Sequence, residues 1–156
     1  MKKFTFILLL FAVVMVMGLI VSPDKAEAVK WQQFTNYSYT GTWTNTHDTD
    51  PVYIGSEGTL YLYVKTIKRK SSTKAKIKTM DIWFDGTAVT FEKGKLYRKN
   101  GKNKLRAVYS DDYGTEGVIK ATFKKKKKKL KGTYEHELGD EAWGGTIKLN
   151  YSQNAG

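Results

Sequence analysis

The 156-residue chain has no cysteine, two prolines and two histidines. Without cysteine there is no disulfide framework, no thiolate metal site, no iron–sulfur cluster and no thiol nucleophile. His47 and His136 are too few for a multi-histidine centre, so neither a metal nor a cofactor is expected. Acidic residues are also scarce, 15 against 27 Lys and Arg, for a formal net charge of +12. A charged fraction of 27% would suit a disordered chain, but 18 of the Phe, Trp and Tyr residues follow residue 28. That much aromatic surface belongs to a packed core, and the length allows one domain.

One long hydrophobic run is present. Lys2 and Lys3 precede an apolar stretch from Phe4 to Val21, Pro23 breaks it, and Ala26-Glu27-Ala28 offers small residues at a cleavage site. Residues 1–28 therefore read as a secretory signal, and the rival reading, an uncleaved anchor, is disfavoured by the breaker and the A-x-A site. No cysteine follows to carry a lipid. The expected product is a secreted, extracellular bacterial protein of one domain, residues 29–156, beginning near Val29, with no transmembrane segment after cleavage. It keeps 24 basic and 13 acidic residues.

After residue 29 no stretch holds apolar residues at helical spacing for three turns, whereas alternation with period two recurs. Tyr37, Tyr39, Gly41 and Trp43 alternate with Ser38, Thr40, Thr42 and Thr44; Leu130, Gly132, Tyr134 and His136 alternate with Lys131, Thr133, Glu135 and Glu137. Turn residues divide the chain into eight strands, at 37–45, 58–67, 75–84, 87–99, 103–110, 117–124, 129–137 and 143–152. Asp85-Gly86 and Asn100-Gly101 suit two-residue hairpins. The fourth strand changes phase near Gly94, which predicts a bulge there.

Charge sorts by loop parity. Odd loops hold Asp48, Asp50 and Glu57, then Asp85, then Asp111, Asp112 and Glu116, then Asp140 and Glu141. Even loops hold Lys68, Arg69, Lys70 and Lys74, then Arg98, Lys99 and Lys102, then Lys124 to Lys129. In an up-and-down meander these sets fall at opposite ends. The expected fold is all-β: an eight-stranded antiparallel up-and-down barrel, or a strongly curled sheet, with one acidic and one basic end.

Gly41-Thr42-Trp43 is a G-x-W on the first strand, and Thr40 to Asn45 resembles the opening strand of the avidins. The chain thus resembles the calycin barrels (lipocalins and avidins). The resemblance implies an eight-stranded barrel able to take a small ligand at its mouth.

Two binding surfaces follow. The first is the basic end, where Lys68, Arg69, Lys70, Lys99, Lys102, Lys124, Lys125, Lys126, Lys127, Lys128, Lys129 and Lys131 are candidates for holding an anionic envelope polymer or surface, as in a defence-type protein. The second is the barrel interior, where Tyr37, Tyr39, Trp43, Tyr134 and Trp143 are candidate ligand-lining residues of a carrier. Specific nucleic-acid binding is not expected, since no RNA-binding or helix-based DNA motif is present. Tyr61 and Tyr63 share a strand face and read as sheet packing rather than a base-stacking platform. The acidic loops offer hard oxygen ligands, but none has the spacing of a calcium loop. His136 has glutamates on both sides in sequence, yet these point to the other strand face, and no serine sits in a nucleophile elbow. A monomeric, non-enzymatic binding protein is expected.

Overall fold

A computed structural model describes residues 29–152. Residues 1–28, read from the sequence as a secretory signal, and the expected cleavage site lie outside the described residues. Eight antiparallel strands close into a barrel in sequence order: β1 (Tyr37–Asp48), β2 (Glu57–Ser71), β3 (Lys74–Phe84), β4 (Thr87–Lys99), β5 (Lys102–Ser110), β6 (Glu116–Lys124), β7 (Lys129–Leu138) and β8 (Glu141–Ser152). β8 returns to β1, with Tyr39 opposite Tyr151 and Trp43 opposite Ile147.

The alternating positions set the inner face. Tyr39, Leu60, Leu62, Ile82, Leu105, Ile119, Leu130, Tyr134 and Leu149 are all buried. Burial of such side chains, each contributing about 1.5–3 kcal/mol, drives closure. The sheet curls tightly where β1 meets β8: a Cβ on Gly41 would lie 2.1 Å from the Lys148 carbonyl oxygen. The glycine of the G-x-W is thus there to let two backbones approach.

Asp85 and Gly86 have φ of +50° and +81°, and Asn100 and Gly101 +52° and +69°, as the hairpin residues required. The bulge of β4 falls at Glu92 rather than Gly94: Phe91 pairs with Tyr109 and Lys93 with Val108, leaving Glu92 unmatched. The phase change is real, but Gly94 itself stays in register on the inner face. There a side chain would meet the Arg106 carbonyl oxygen at 2.9 Å. The second strand is also longer than the apolar pattern suggests. Lys68, Arg69 and Lys70 lie on β2, and the turn is Ser72–Thr73.

A short 3-10 turn, Trp31–Phe34, precedes β1 and stops the basic end. Trp31 and Phe34 are each 2% exposed, and the Phe34 ring lies 4.7 Å from that of Phe123. The Val29 amide donates to the Ser72 carbonyl, fixing this segment to the β2–β3 turn. A second 3-10 turn, Pro51–Tyr53, lies in the acidic β1–β2 loop, where the Asp50 carboxylate accepts from the Val52 amide.

Candidate functional site

With one end stopped, the interior opens at the acidic end, into a cavity of about 640 Å³. This lies within the range of small-molecule sites. Six of the wall residues owe their place to strand register. β1 supplies Trp43 and Asn45 from its inner face, β3 ends on Phe84, β7 contributes Tyr134 and His136, and β8 contributes Trp143 directly opposite His136. Several of the ring pairs meet at steep angles, while Trp143 is tilted by 38° against His136. Trp43 stands at 74° to Tyr134 with centroids 5.8 Å apart, Phe84 at 81° to His136 at 5.4 Å, and Tyr134 at 85° to His136 at 5.4 Å. Edge-to-face contacts of this kind stabilise an aromatic wall.

Polar groups hold this wall. The Trp43 indole Nε1 donates to Asp85 across the barrel end at 3.2 Å, and Asp85 also accepts from the Thr59 amide at 2.6 Å. The Asn45 amide Nδ2 donates to Asp48 at 2.8 Å and to the Tyr53 carbonyl at 3.3 Å. Both partners are acceptors, so the amide orientation follows from chemistry and Oδ1 is the atom left over. Asn45 Oδ1 and the Tyr134 hydroxyl are buried without a hydrogen-bond partner.

Tyr109 packs its ring on Gly117, where any side chain would collide with it, and its hydroxyl meets His136 Nε2. Burial lowers the His136 pKa to about 4, against smaller opposing effects of Asp111 and Glu135, so the ring is neutral at pH 7. Burial raises the Tyr109 phenol well above its ordinary value, and the nearby Tyr134 and Asp111 raise it further. The partner of His136 is therefore a phenol. Glu135 points outward and pairs with His47 at 2.8 Å.

Trp43, Tyr134 and Trp143 of the expected interior set come together in this cavity. Tyr37 and Tyr39 lie near the opposite end: Tyr39 hydrogen-bonds to the Lys127 carbonyl, and Tyr37 packs on Tyr151. Phe84 and Tyr53 also line the mouth. Strand periodicity gave no hint of Tyr53, which lies in a loop; Phe84 was visible as the last apolar residue before Asp85-Gly86. Tyr61 and Tyr63 alternate with the buried Leu60, Leu62 and Val64 and so face outward.

At the basic end the even turns converge. Lys68, Arg69, Lys70, Lys99, Lys102, Lys124, Lys125, Lys126, Lys128 and Lys131 are exposed, and Lys127 and Lys129 are half-buried. Lys127 differs from its neighbours. Its Nζ donates to the Gln33 carbonyl and the Tyr37 hydroxyl, both at 3.1 Å, and sits 4.5 Å over the Tyr37 ring. Lys125, Lys126 and Lys127 all have positive φ. A smaller cavity of about 480 Å³ lies beside them, with Gln33, Lys102, Asn103 and Phe123 in its wall.

Among the described residues no group of three or more His, Asp or Glu is placed to hold a metal ion. Asp111 closes its own loop, accepting from the Tyr113 and Thr115 amides at 2.9 Å each.

No family model, no curated protein and no solved structure matches this chain. The architecture is an eight-stranded antiparallel barrel compatible with the calycin type.

Proposed function

We propose that the protein is a secreted, non-enzymatic barrel that binds a small ligand at its acidic mouth. The observation that carries this reading is asymmetry: Trp31 and Phe34 stop one end, while the other opens into the aromatic cavity bounded by Trp43 and Trp143. A barrel that needed only a scaffold would gain stability by filling that space, since an apolar void forfeits packing contacts. The neutral His136–Tyr109 pair supports a binding rather than a hydrolytic role, because among the described residues the imidazole is partnered by a phenol and by no carboxylate that could take part in proton transfer. The test is titration with the neutral dye N-phenyl-1-naphthylamine. Saturable fluorescence enhancement that falls at least tenfold in Trp143→Ala supports the mouth; enhancement lost in Phe34→Ala but kept in Trp143→Ala refutes it.

The basic end supports a second reading, adhesion to an anionic envelope polymer. The exposed lysines of the β6–β7 turn adjoin the smaller cavity lined by Lys102, Lys126 and Lys127. Such contact is dominated by counterion release and weakens steeply with salt. Retention on a polyanion column should drop when Lys124, Lys125, Lys126 and Lys128 become Ser, with Lys127 kept as the anchor. Equal retention of variant and wild type removes this reading.

A further inference from the structure

Charge is distributed against the grain of the molecule at the mouth. The chain carries 27 Lys and Arg and only 15 Asp and Glu, yet among the described residues the wall of the large cavity has no lysine or arginine and three carboxylates, Asp48, Asp50 and Glu141. Beneath them the ring faces of Trp43, Tyr134 and Trp143 carry the negative side of the aromatic quadrupole. Hydrogen-bonding capacity leans toward acceptors as well. Asn45 Nδ2 is already spent on Asp48 and Tyr53, which leaves the Oδ1 acceptor, and the Ser56 hydroxyl proton goes to the Tyr53 carbonyl. The Trp143 indole N–H, the Tyr53 and Tyr134 hydroxyls and the His136 ring can donate, but the oxygens of the three carboxylates and Asn45 Oδ1, which only accept, outnumber them.

Resting on the reading of the mouth as a ligand site, we propose that its ligand is an organic cation: a primary ammonium on an aryl or alkyl body. The apolar body fills the aromatic wall, and the ammonium meets the carboxylates and the Asn45 carbonyl with its three N–H donors. Carboxylates alone would draw any cation. The steeply angled rings select one with an apolar body, and the surplus of acceptors favours N–H donors over a fully methylated nitrogen. Anionic ligands are repelled at the mouth although the whole molecule is basic, so the mouth and the lysine turns attract opposite partners.

The test is calorimetric titration of the full chain with four matched probes: 2-phenylethylammonium, its trimethylated analogue, 2-phenylethanol and 3-phenylpropanoate. The primary ammonium should bind at least tenfold tighter than the alcohol, the trimethyl analogue should fall between them, and the carboxylate should be weakest. In the double variant Asp48→Asn, Glu141→Gln the ammonium should lose at least tenfold while the alcohol stays within twofold. An alcohol or carboxylate that matches the ammonium, or a trimethyl analogue that exceeds it tenfold, overturns the inference. If the neutral dye binds through Trp143 and the ammonium does not, the ligand class is wrong and the mouth stands. If neither the dye nor any of the four binds, both fail.

Discussion

The Trp43 indole and the Asp85 carboxylate join across the acidic end of the barrel, Nε1 donating to Oδ2 at 3.2 Å. One comes from the G-x-W on β1 and the other from the Asp-Gly hairpin between β3 and β4, 42 residues apart. The same carboxylate accepts from the Thr59 amide, and Gly58 leaves room for it: a Cβ there would fall 2.2 Å from Asp85 Oδ1. The rim of the mouth is thus built around one side chain.

Asp85→Ala should therefore cost about 2 kcal/mol, through lost charge-assisted hydrogen bonds and a residue poorly suited to positive φ. Asp85→Asn, which tolerates that backbone and keeps one acceptor, should cost about half as much. Gly58→Ala displaces the same carboxylate, so its effect and that of Asp85→Ala should be strongly non-additive. Urea midpoints of the three single variants and the double variant measure this; full additivity contradicts it.

His136 sets a pH dependence. Its pKa falls from the ordinary 6.5 to about 4 in the folded state because burial disfavours the imidazolium, with Asp111 and Glu135 pulling the other way. Between those values the unfolded chain takes up a proton that the folded chain refuses. Stability is therefore unaffected by this group above pH 6.5, and declines as pH falls toward 4 by about 3 kcal/mol at the limit. His136→Gln, which keeps an acceptor for Tyr109, should remove that slope from the difference between the two stability curves. Parallel slopes in both proteins between pH 6.5 and 4 would show that the imidazole is not responsible.

The lysine turn should respond unevenly to substitution. Lys127→Met drops the bonds to Gln33 and Tyr37 and the contact with the Tyr37 ring, and should destabilise by about 1–2 kcal/mol. Lys125→Gly relieves a side chain held at φ of +47° and should be neutral or stabilising by about 1 kcal/mol. Thermal melts at low salt report both; equal effects would mean that Lys127 is no anchor.

Much of this was legible in the sequence, and the gaps have physical causes. Period-two alternation and turn residues together marked all eight strands, and Asp85-Gly86 and Asn100-Gly101 marked two turns, because positive φ restricts the residues that can stand there. The end of β2 was missed because Lys68 to Ser71 extend the hairpin with exposed side chains, so no core contact imprints a pattern on them. The Trp31–Phe34 stopper is too short for periodicity; its trace was two aromatics three apart just before the first strand. Lys127 was indistinguishable from five neighbouring lysines, since only the turn geometry turns its ammonium inward. The mouth was half visible: Trp43, Tyr134 and Trp143 follow from inward alternation. The orientation of the Asn45 amide depends on Tyr53, a loop residue whose backbone position no pattern encodes.

Export is checked by mass. The protein recovered from the culture medium of an expressing bacterial host should begin at or near Val29, and a cell-bound species retaining residues 1–28 would contradict secretion.

The four tryptophans occupy four different places. Trp43 and Trp143 border the mouth, Trp31 stops the far end, and Trp83 is 43% exposed on the outer face. Their indole N–H signals in a nitrogen-15 correlation spectrum report directly on where a ligand sits. On addition of 2-phenylethylammonium or the neutral dye, the signals of Trp43 and Trp143 should move together with a common dissociation constant while those of Trp31 and Trp83 stay in place. Movement confined to Trp31 or Trp83, or none at saturating ligand, would contradict binding at the acidic mouth.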